Sequence, residues 1–488
     1  MVYFRDKNYG EIILNISISF ICNNELINTS LHPATTVLDF VRKHLHLTGT
    51  KEACREGDCG ACTILVGELK EDSVIYRPVN SCLLPLGSIN GKHIVTIEGI
   101  NQKELNLIQE LILYEGGTQC GFCTPGFIMS MTGYFINSEN YKVEDLLTSL
   151  DGNICRCTGY ASIKRASFKI INEIKNNGTV KEHGVAFLVN KGLLPEYFLQ
   201  IPEKLKIMAD QEYNLPDEGN GNATYVAGGT DLFVQNWERL SESSVRFISN
   251  LKNLPMIWSE ENLCFINAGA TISDLQNSKL IMKYFPEIKN YFNYFGSLPI
   301  RNNATIGGNI INASPIGDST IFFMAMNTKL YLSDGKSIRE VLLKDFYKGY
   351  KNIDKRNEEI LDYLSFSIPK ANGYFNFEKV SRRTYLDIAS VNSAIYLELK
   401  DDVIHHINIS AGGVSPVPML LEKTSEFLIT KEIKTKNIRD AALIAQAEIS
   451  PISDVRGSVE YKSILLRQII FSHFLKLFPE KIQAEELV

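Results

Sequence analysis

Hydrophobic positions change period several times along this chain, and each change marks a new element. In Glu11–Cys22 (EIILNISISFIC), Ile16, Ile18 and Phe20 alternate with polar residues, which predicts a strand. Asn23-Asn24 predicts a turn into a second short strand at Leu26–Asn28. Beyond Thr35 and Thr36, which can cap a helix, Leu38, Val41 and Leu45 follow helical spacing. Ile64–Val66 and Ile94–Ile97 predict further strands, so the chain to about Val95 reads as a small α+β unit around a long loop. From about Glu104 to Lys175 the period is helical. Leu105, Ile108 and Ile112 share a face that Gly116-Gly117 ends, Thr124-Pro125 opens a run through Phe135, and Thr158 is positioned to cap a helix reaching Ile171.

Asn176–Gly192 is polar and glycine-containing and reads as a linker. The remainder is mixed α/β: Tyr225–Val226 leads into Gly228-Gly229-Thr230, Leu263–Ala270 predicts a strand, Leu361–Ile368 alternates, and Glu460–Phe478 is an amphipathic helix. The 488 residues suggest roughly three domains. A formal charge of −6 argues against a nucleic-acid partner, which favours a basic face. No run of about eighteen apolar residues predicts a membrane span, and the N-terminal stretch lacks the pattern of a signal peptide. The expectation is a cytoplasmic protein that binds neither nucleic acid nor membrane.

In that setting the ten cysteines point to metal or redox chemistry rather than to disulfides. Eight fall in the first third, and only Cys22 and Cys264, to which no role is given, stand apart. Cys54-REGD-Cys59-GA-Cys62 with Cys82 has the plant-type ferredoxin spacing for a [2Fe–2S] cluster. Gly57 and Gly60 let the loop curl and point amides at sulfur, offsetting the negative charge of thiolates and sulfides. Zinc is the alternative, but its sites favour C-x2–4-C pairs on two knuckles. The second quartet is Cys120-GF-Cys123 and Cys155-R-Cys157, each pair ahead of a predicted helix whose N-terminus favours thiolate.

Two glycine-bearing patches follow. Tyr225–Leu232 (YVAGGTDL) offers successive amides that can form an anion-binding nest for a pyrophosphate. The second runs from Arg301 to Asp318 (RNNATIGGNIINASPIGD) without hydrophobic period, as suits a loop around a cofactor. The nearest approach to a G-x-G-x-x-G fingerprint, Gly219 onward, fails its third glycine, which disfavours a Rossmann fold.

The stretches GTKEACREGDCGACTILV, TQCGFCTPGFIMS and DGNICRCTGY, with VAGGT and IGGNI…ASPIGD about eighty residues apart, resemble the molybdenum hydroxylase family. The resemblance implies a multidomain α+β chain: a plant-type β-grasp ferredoxin domain (13–98), a four-helix-type [2Fe–2S] domain (99–176), a linker (177–194), a vanillyl-alcohol-oxidase/PCMH-type FAD domain (195–372) and an α+β flavoprotein C-terminal domain (373–488). It implies two [2Fe–2S] clusters, on Cys54, Cys59, Cys62 and Cys82 and on Cys120, Cys123, Cys155 and Cys157, the second nearer a molybdopterin cofactor that approaches Gln119. FAD would be held by Tyr225, Val226, Ala227, Gly228, Gly229, Thr230, Asp231, Leu232, Phe295, Thr305, Gly308, Asn309, Asp318, Leu364 and Lys379, although the mammalian members place that lysine at the position of Glu378.

By the same resemblance, substrate hydroxylation of a purine such as xanthine belongs to a large molybdopterin-binding partner subunit, in an (αβ)2 heterotetramer. No catalytic residue for it is expected in this chain, which would carry electrons through the second cluster, the first and FAD to NAD+. Oxidation of an aldehyde or another N-heterocycle, dioxygen as acceptor, and a free electron carrier remain as alternatives.

Overall fold

The alternating run near the N-terminus becomes the middle of a six-stranded mixed sheet. Its strands are β1 (Val2–Phe4), β2 (Ile18–Cys22), β3 (Glu25–Thr29), β4 (Thr63–Lys70), β5 (Ser73–Asn80) and β6 (His93–Val95), in the order β1-β3-β2-β6-β4-β5. This is a computed structural model, and it describes residues 2–4, 17–176, 183–209, 223–248 and 255–487. The front of the predicted alternation, 11–16, and residues 219–222 of the rejected dinucleotide motif lie outside those residues. β2 and β3 pair antiparallel about the Asn23-Asn24 turn. All five residues of β2 are buried, because β3 and β6 flank it and helix α1 (Val37–Asp39) with the π-helical turn Phe40–His44 packs Phe40 on Phe20. The helix expected through Leu45 is thus two short pieces.

Helices α2 (Leu107–Tyr114), α3 (Thr124–Asn137), α4 (Val143–Ser149) and α5 (Ala161–Asn176) make the next module. α2 opens on an Asn106/Gln109 capping box and closes where Gly116 takes φ +70, as its glycine pair predicts. α3 is buried from Gly126 to Ile136, because it packs against β4, β5 and its neighbouring helices. Two caps differ from expectation. Cys123, not Thr124, is the N-cap of α3. Thr158 does not cap α5, which starts at Ala161, since its hydroxyl donates to Cys155 Sγ at 3.1 Å.

The expected linker is corrected by the structure. Residues 177–182 lie outside the described residues, but Val185–Asn190 is a helix whose Phe187 and Leu188 join Leu193, Leu194 and Phe198 in the core of the helical module. An apolar run that finds a complementary surface buries itself rather than staying solvated. The helix Ile201–Ala209 likewise buries Ile201, Leu205 and Met208 against Ile21, with Leu26, Leu69 and Val74 alongside.

The chain divides into two units, Met1–Ser249 with Ser297–Asn303, and Asn250–Gly296 with Ala304–Val488. The second unit holds an antiparallel five-stranded sheet, ordered Ile338–Leu342, Lys329–Ser333, Ile360–Ser367, Leu263–Asn267, Ile257–Glu260. It also holds a four-stranded antiparallel sheet, Gly373–Val380, Val391–Lys400, Val403–Gly412 and Met419–Leu420, covered by helices Glu422–Leu428, Thr435–Glu448 and Val459–Leu477. Among the described residues no helix is long and apolar enough to cross a membrane.

Candidate functional site

The first quartet sits on the loop before β4 and the turn after β5. Arg55 (φ 55), Gly57 (φ 80) and Gly60 (φ 67) put three left-handed residues between Cys54 and Cys62. That curl lets the Glu56 amide donate to Cys54 Sγ at 3.4 Å. Cys62 and Cys82 are buried with their sulfurs 3.4 Å apart, held by Ser81, whose hydroxyl donates to the Cys62 carbonyl at 2.7 Å. In the second quartet, Cys157 and Cys120 sulfurs lie 3.7 Å apart on an exposed surface.

The electrostatics pair the sulfurs in the same way. A hydrogen bond from Cys59 lowers Cys54 to about 5, and one from Cys82 lowers Cys62. Burial, with a hydrogen bond to Cys155, pushes Cys123 up to about 12. The pairs are thus Cys54 with Cys59, Cys62 with Cys82, Cys120 with Cys157, and Cys123 with Cys155. A tetrahedral centre with bonds of about 2.3 Å to sulfur has edges of about 3.8 Å. Two facing thiolates per metal fit a [2Fe–2S] rhomb, whose other ligands are inorganic sulfide. Among the described residues no three His, Cys, Asp or Glu converge as a single-ion site, which a zinc reading would need. Cys22 and Cys264 stand apart: burial pushes each thiol up to about 12, leaving it protonated in the core.

The two quartets meet through backbone. The Ile154 amide, adjacent to Cys155, donates to the Cys59 carbonyl at 3.0 Å. Asn153 donates to the Gly60 carbonyl at 3.2 Å and accepts from Ser130 at 2.7 Å. Gly60, Gly126 and Gly152 line this seam. A β-carbon at Gly60 or Gly126 would collide with the facing carbonyl oxygen, of Gly152 or Gly60 respectively, and one at Gly152 with Ser297. The sequence reading missed Asn153, Ser130 and Gly126, although a glycine inside the first turn of an otherwise apolar helix is a signal against propensity.

The first glycine patch also belongs to this unit. Strand Thr224–Val226 pairs parallel with Val245–Phe247, and the loop after it enters the short helix Leu232–Gln235. Val226, Phe233 and Phe247 pack with Cys62, Cys82 and Leu83, so the Gly228-Gly229 loop lies beside the first quartet. Gly229 takes φ +72, and the Gly228 carbonyl accepts from Asn303 at 2.5 Å.

In the other unit, Thr305 caps the helix Ile306–Ile311 and accepts from the Gly308 amide, so the expected irregular loop is partly helical. Asn309 accepts from Ser319 at 2.6 Å. Asp318 and Lys379 are brought together as a buried ion pair at 2.7 Å, and the other Asp318 oxygen accepts from Asn392 at 2.6 Å. Lys379 also donates to the Tyr294 carbonyl, beside half-buried Phe295. Strand alternation sends Glu378 elsewhere, to Lys476 and Asn376. Asp318 is therefore held by two partners within the chain, one on each carboxylate oxygen. Leu364 is fully buried in the sheet between Ile266 and Leu330, so its side chain serves the core.

Family models match in series. The 2Fe-2S iron–sulfur cluster binding domain covers residues 22–86 and the [2Fe-2S] binding domain 96–167. The FAD binding domain in molybdopterin dehydrogenase covers 201–371, and the CO dehydrogenase flavoprotein C-terminal domain 376–477. The chain belongs to the molybdenum hydroxylase family. It is an iron–sulfur and flavin electron-transfer module of that family. Xanthine dehydrogenase 1 of Arabidopsis thaliana is 29% identical over 90% of this chain and 38% of its own length. The xanthine dehydrogenase/oxidase of Rattus norvegicus is 28% identical over 96% of the chain and 39% of its length. This molybdenum hydroxylase chain thus spans about two-fifths of the length of these curated relatives. Its fold is shared with carbon monoxide dehydrogenase from Hydrogenophaga pseudoflava (TM-score 0.51, 23% identity, 53% of this chain, 91% of that one). A reconstituted CO dehydrogenase from Oligotropha carboxidovorans gives a TM-score of 0.50 at 22% identity, with 53% of this chain and 91% of that one covered.

Proposed function

We propose that this chain serves a xanthine dehydrogenase, taking electrons released when a purine is oxidised at a molybdopterin centre on a large partner subunit and delivering them to NAD+. The observation that carries the reading is the difference in exposure between the two quartets. In the first quartet Cys62 and Cys82 are buried and Cys54 and Cys59 half-buried, whereas the second, with Cys155 buried and Cys123 half-buried, brings Cys120 and Cys157 to the surface beside exposed Phe122, Ile154, Tyr160 and Gln119. An apolar rim around exposed ligands suits a partner that brings its redox centre close. The first quartet adjoins both the second, through Ile154 and Cys59, and the Gly228-Gly229 loop, which supports this order of transfer.

When bound, two [2Fe–2S] clusters would carry single electrons and FAD would exchange a hydride with NAD+. The eight cysteines of the quartets would hold the irons, and the chain's backbone amides would offset their charge. Gly228, Gly229 and Thr230 would offer amides to the pyrophosphate, and the family resemblance adds Phe295, Thr305, Gly308, Asn309, Asp318 and Lys379 as further flavin contacts. The names of the relatives, matched over nine-tenths or more of this chain, support purine chemistry. An (αβ)2 assembly with the large subunit is part of the same proposal.

The test uses the full chain with its iron and flavin. It should oxidise NADH with an artificial acceptor, contain about four irons, and leave xanthine untouched until a large molybdenum-bearing chain is added. Xanthine turnover by this chain alone refutes the division of labour. Reoxidation by dioxygen but not by NAD+ refutes the acceptor.

A further inference from the structure

The loop between Cys54 and Cys59 contains a residue that glycine chemistry does not explain. Arg55 adopts φ 55, the left-handed region that a non-glycine residue enters at a cost, and it does so between a cluster cysteine and the amide that donates to it. Its side chain is not spent on solvent. The guanidinium makes a two-pronged contact with Asp39, Nη1 to Oδ2 at 3.0 Å and Nη2 to Oδ1 at 2.8 Å, and its Nε donates to Glu52 at 2.7 Å. The side chains are about one-third and one-sixth exposed, at 31% and 17%. Asp39 is itself held by the Thr36 hydroxyl at 2.7 Å and by Lys43 at 2.7 Å, on the helical turn that packs into the sheet core. Glu52 also faces Arg42, which donates to the Thr48 and Thr50 carbonyls and so braces the chain entering the loop.

We propose that Arg55 is a positioning residue for the first cluster, its paired contact with Asp39 locking the left-handed turn that aims the Glu56 amide at the Cys54 sulfur. A planar guanidinium matches a carboxylate in one orientation, so the clamp fixes direction as well as distance. Without it, the peptide relaxes toward the right-handed or extended region and the amide swings off the sulfur. The inference rests on the first quartet holding a [2Fe–2S] cluster.

The experiment reads electron paramagnetic resonance line shape and midpoint potential in the full cluster-loaded chain. The variants are Arg55→Gln, Arg55→Lys, Arg55→Gly, Asp39→Asn and the Arg55→Gln/Asp39→Asn double. Cys155→Ser assigns the signals by removing the second one. Arg55→Gln and Asp39→Asn should each alter or lose the first-cluster signal in the same direction, with the double no worse than either, while the second signal stays intact and reports a folded chain. Arg55→Lys should retain part of the wild-type signal, and Arg55→Gly should not, although glycine relieves the backbone. An unchanged first signal, a glycine variant like wild type, or opposite and additive shifts in potential overturn the clamp. Two irons per wild-type chain overturn the cluster assignment, and the clamp with it.

Discussion

Gly126 offers the sharpest check on how the two cluster modules meet. It occupies the first turn of α3, where helical geometry accepts alanine, and in an open helix Gly→Ala stabilises by about 1 kcal/mol. Here the added carbon would stand 2.2 Å from the Gly60 carbonyl oxygen and 3.1 Å from its carbon. An ordinary carbon–oxygen approach is about 3.4 Å, so the backbones would part by roughly 1 Å. Overpacking costs about 1–3 kcal/mol, and stretching the Asn153 and Ile154 hydrogen bonds costs about 0.5–1.5 kcal/mol each. The expected net effect is destabilisation by about 1–5 kcal/mol, against the helix propensity. The assay is chemical denaturation together with the magnetic coupling between the two reduced clusters, which falls with the cube of their separation. Gly126→Ala should weaken that coupling while both signals persist. A variant as stable as wild type with unchanged coupling refutes the close approach.

Gly229→Val should release FAD and leave both clusters reducible, since φ +72 disfavours valine and Phe233 stands 3.0 Å from the new carbon; stoichiometric FAD in the variant would mean the loop does not hold it. Asp318→Ala should cost stability as well as flavin, about 3–5 kcal/mol, because it strands buried Lys379; Asp318→Asn/Lys379→Met should recover folding without restoring FAD, as calorimetry and flavin content would show. Burial lowers His473 to about 4, where its ring meets Asn376 and Ser393. Below its unfolded value near 6.5 the unfolded chain takes a proton that the folded chain refuses, so stability should fall from pH 6.5 to about 4, by roughly 3 kcal/mol at the lower end. His473→Asn should flatten that slope in urea midpoints, and an unchanged slope would exclude His473 as its source.

The sequence alone determined what depends on local spacing. Both cysteine quartets, the turn at Asn23-Asn24, the end of α2 at Gly116 and the C-terminal helix are legible because their chemistry lies within a few residues of chain. The family resemblance extended this to the flavin loops, naming Asp318 and Lys379 one by one. That these two neutralise each other, 61 residues apart, is decided by strand register and burial, on which a single sequence is silent. The same holds for the supposed linker. Its Phe187 and Leu188 look ordinary in a polar stretch, and only the surface awaiting them in the helical module makes the segment core. The seam of Gly60, Gly126 and Gly152 draws on three separated stretches, each glycine explicable locally by a turn or left unexplained. Cluster ligands follow from bonds to a small inorganic group, which impose short spacings. Approach between modules follows from packing, which imposes none, and so only the tertiary structure decides it.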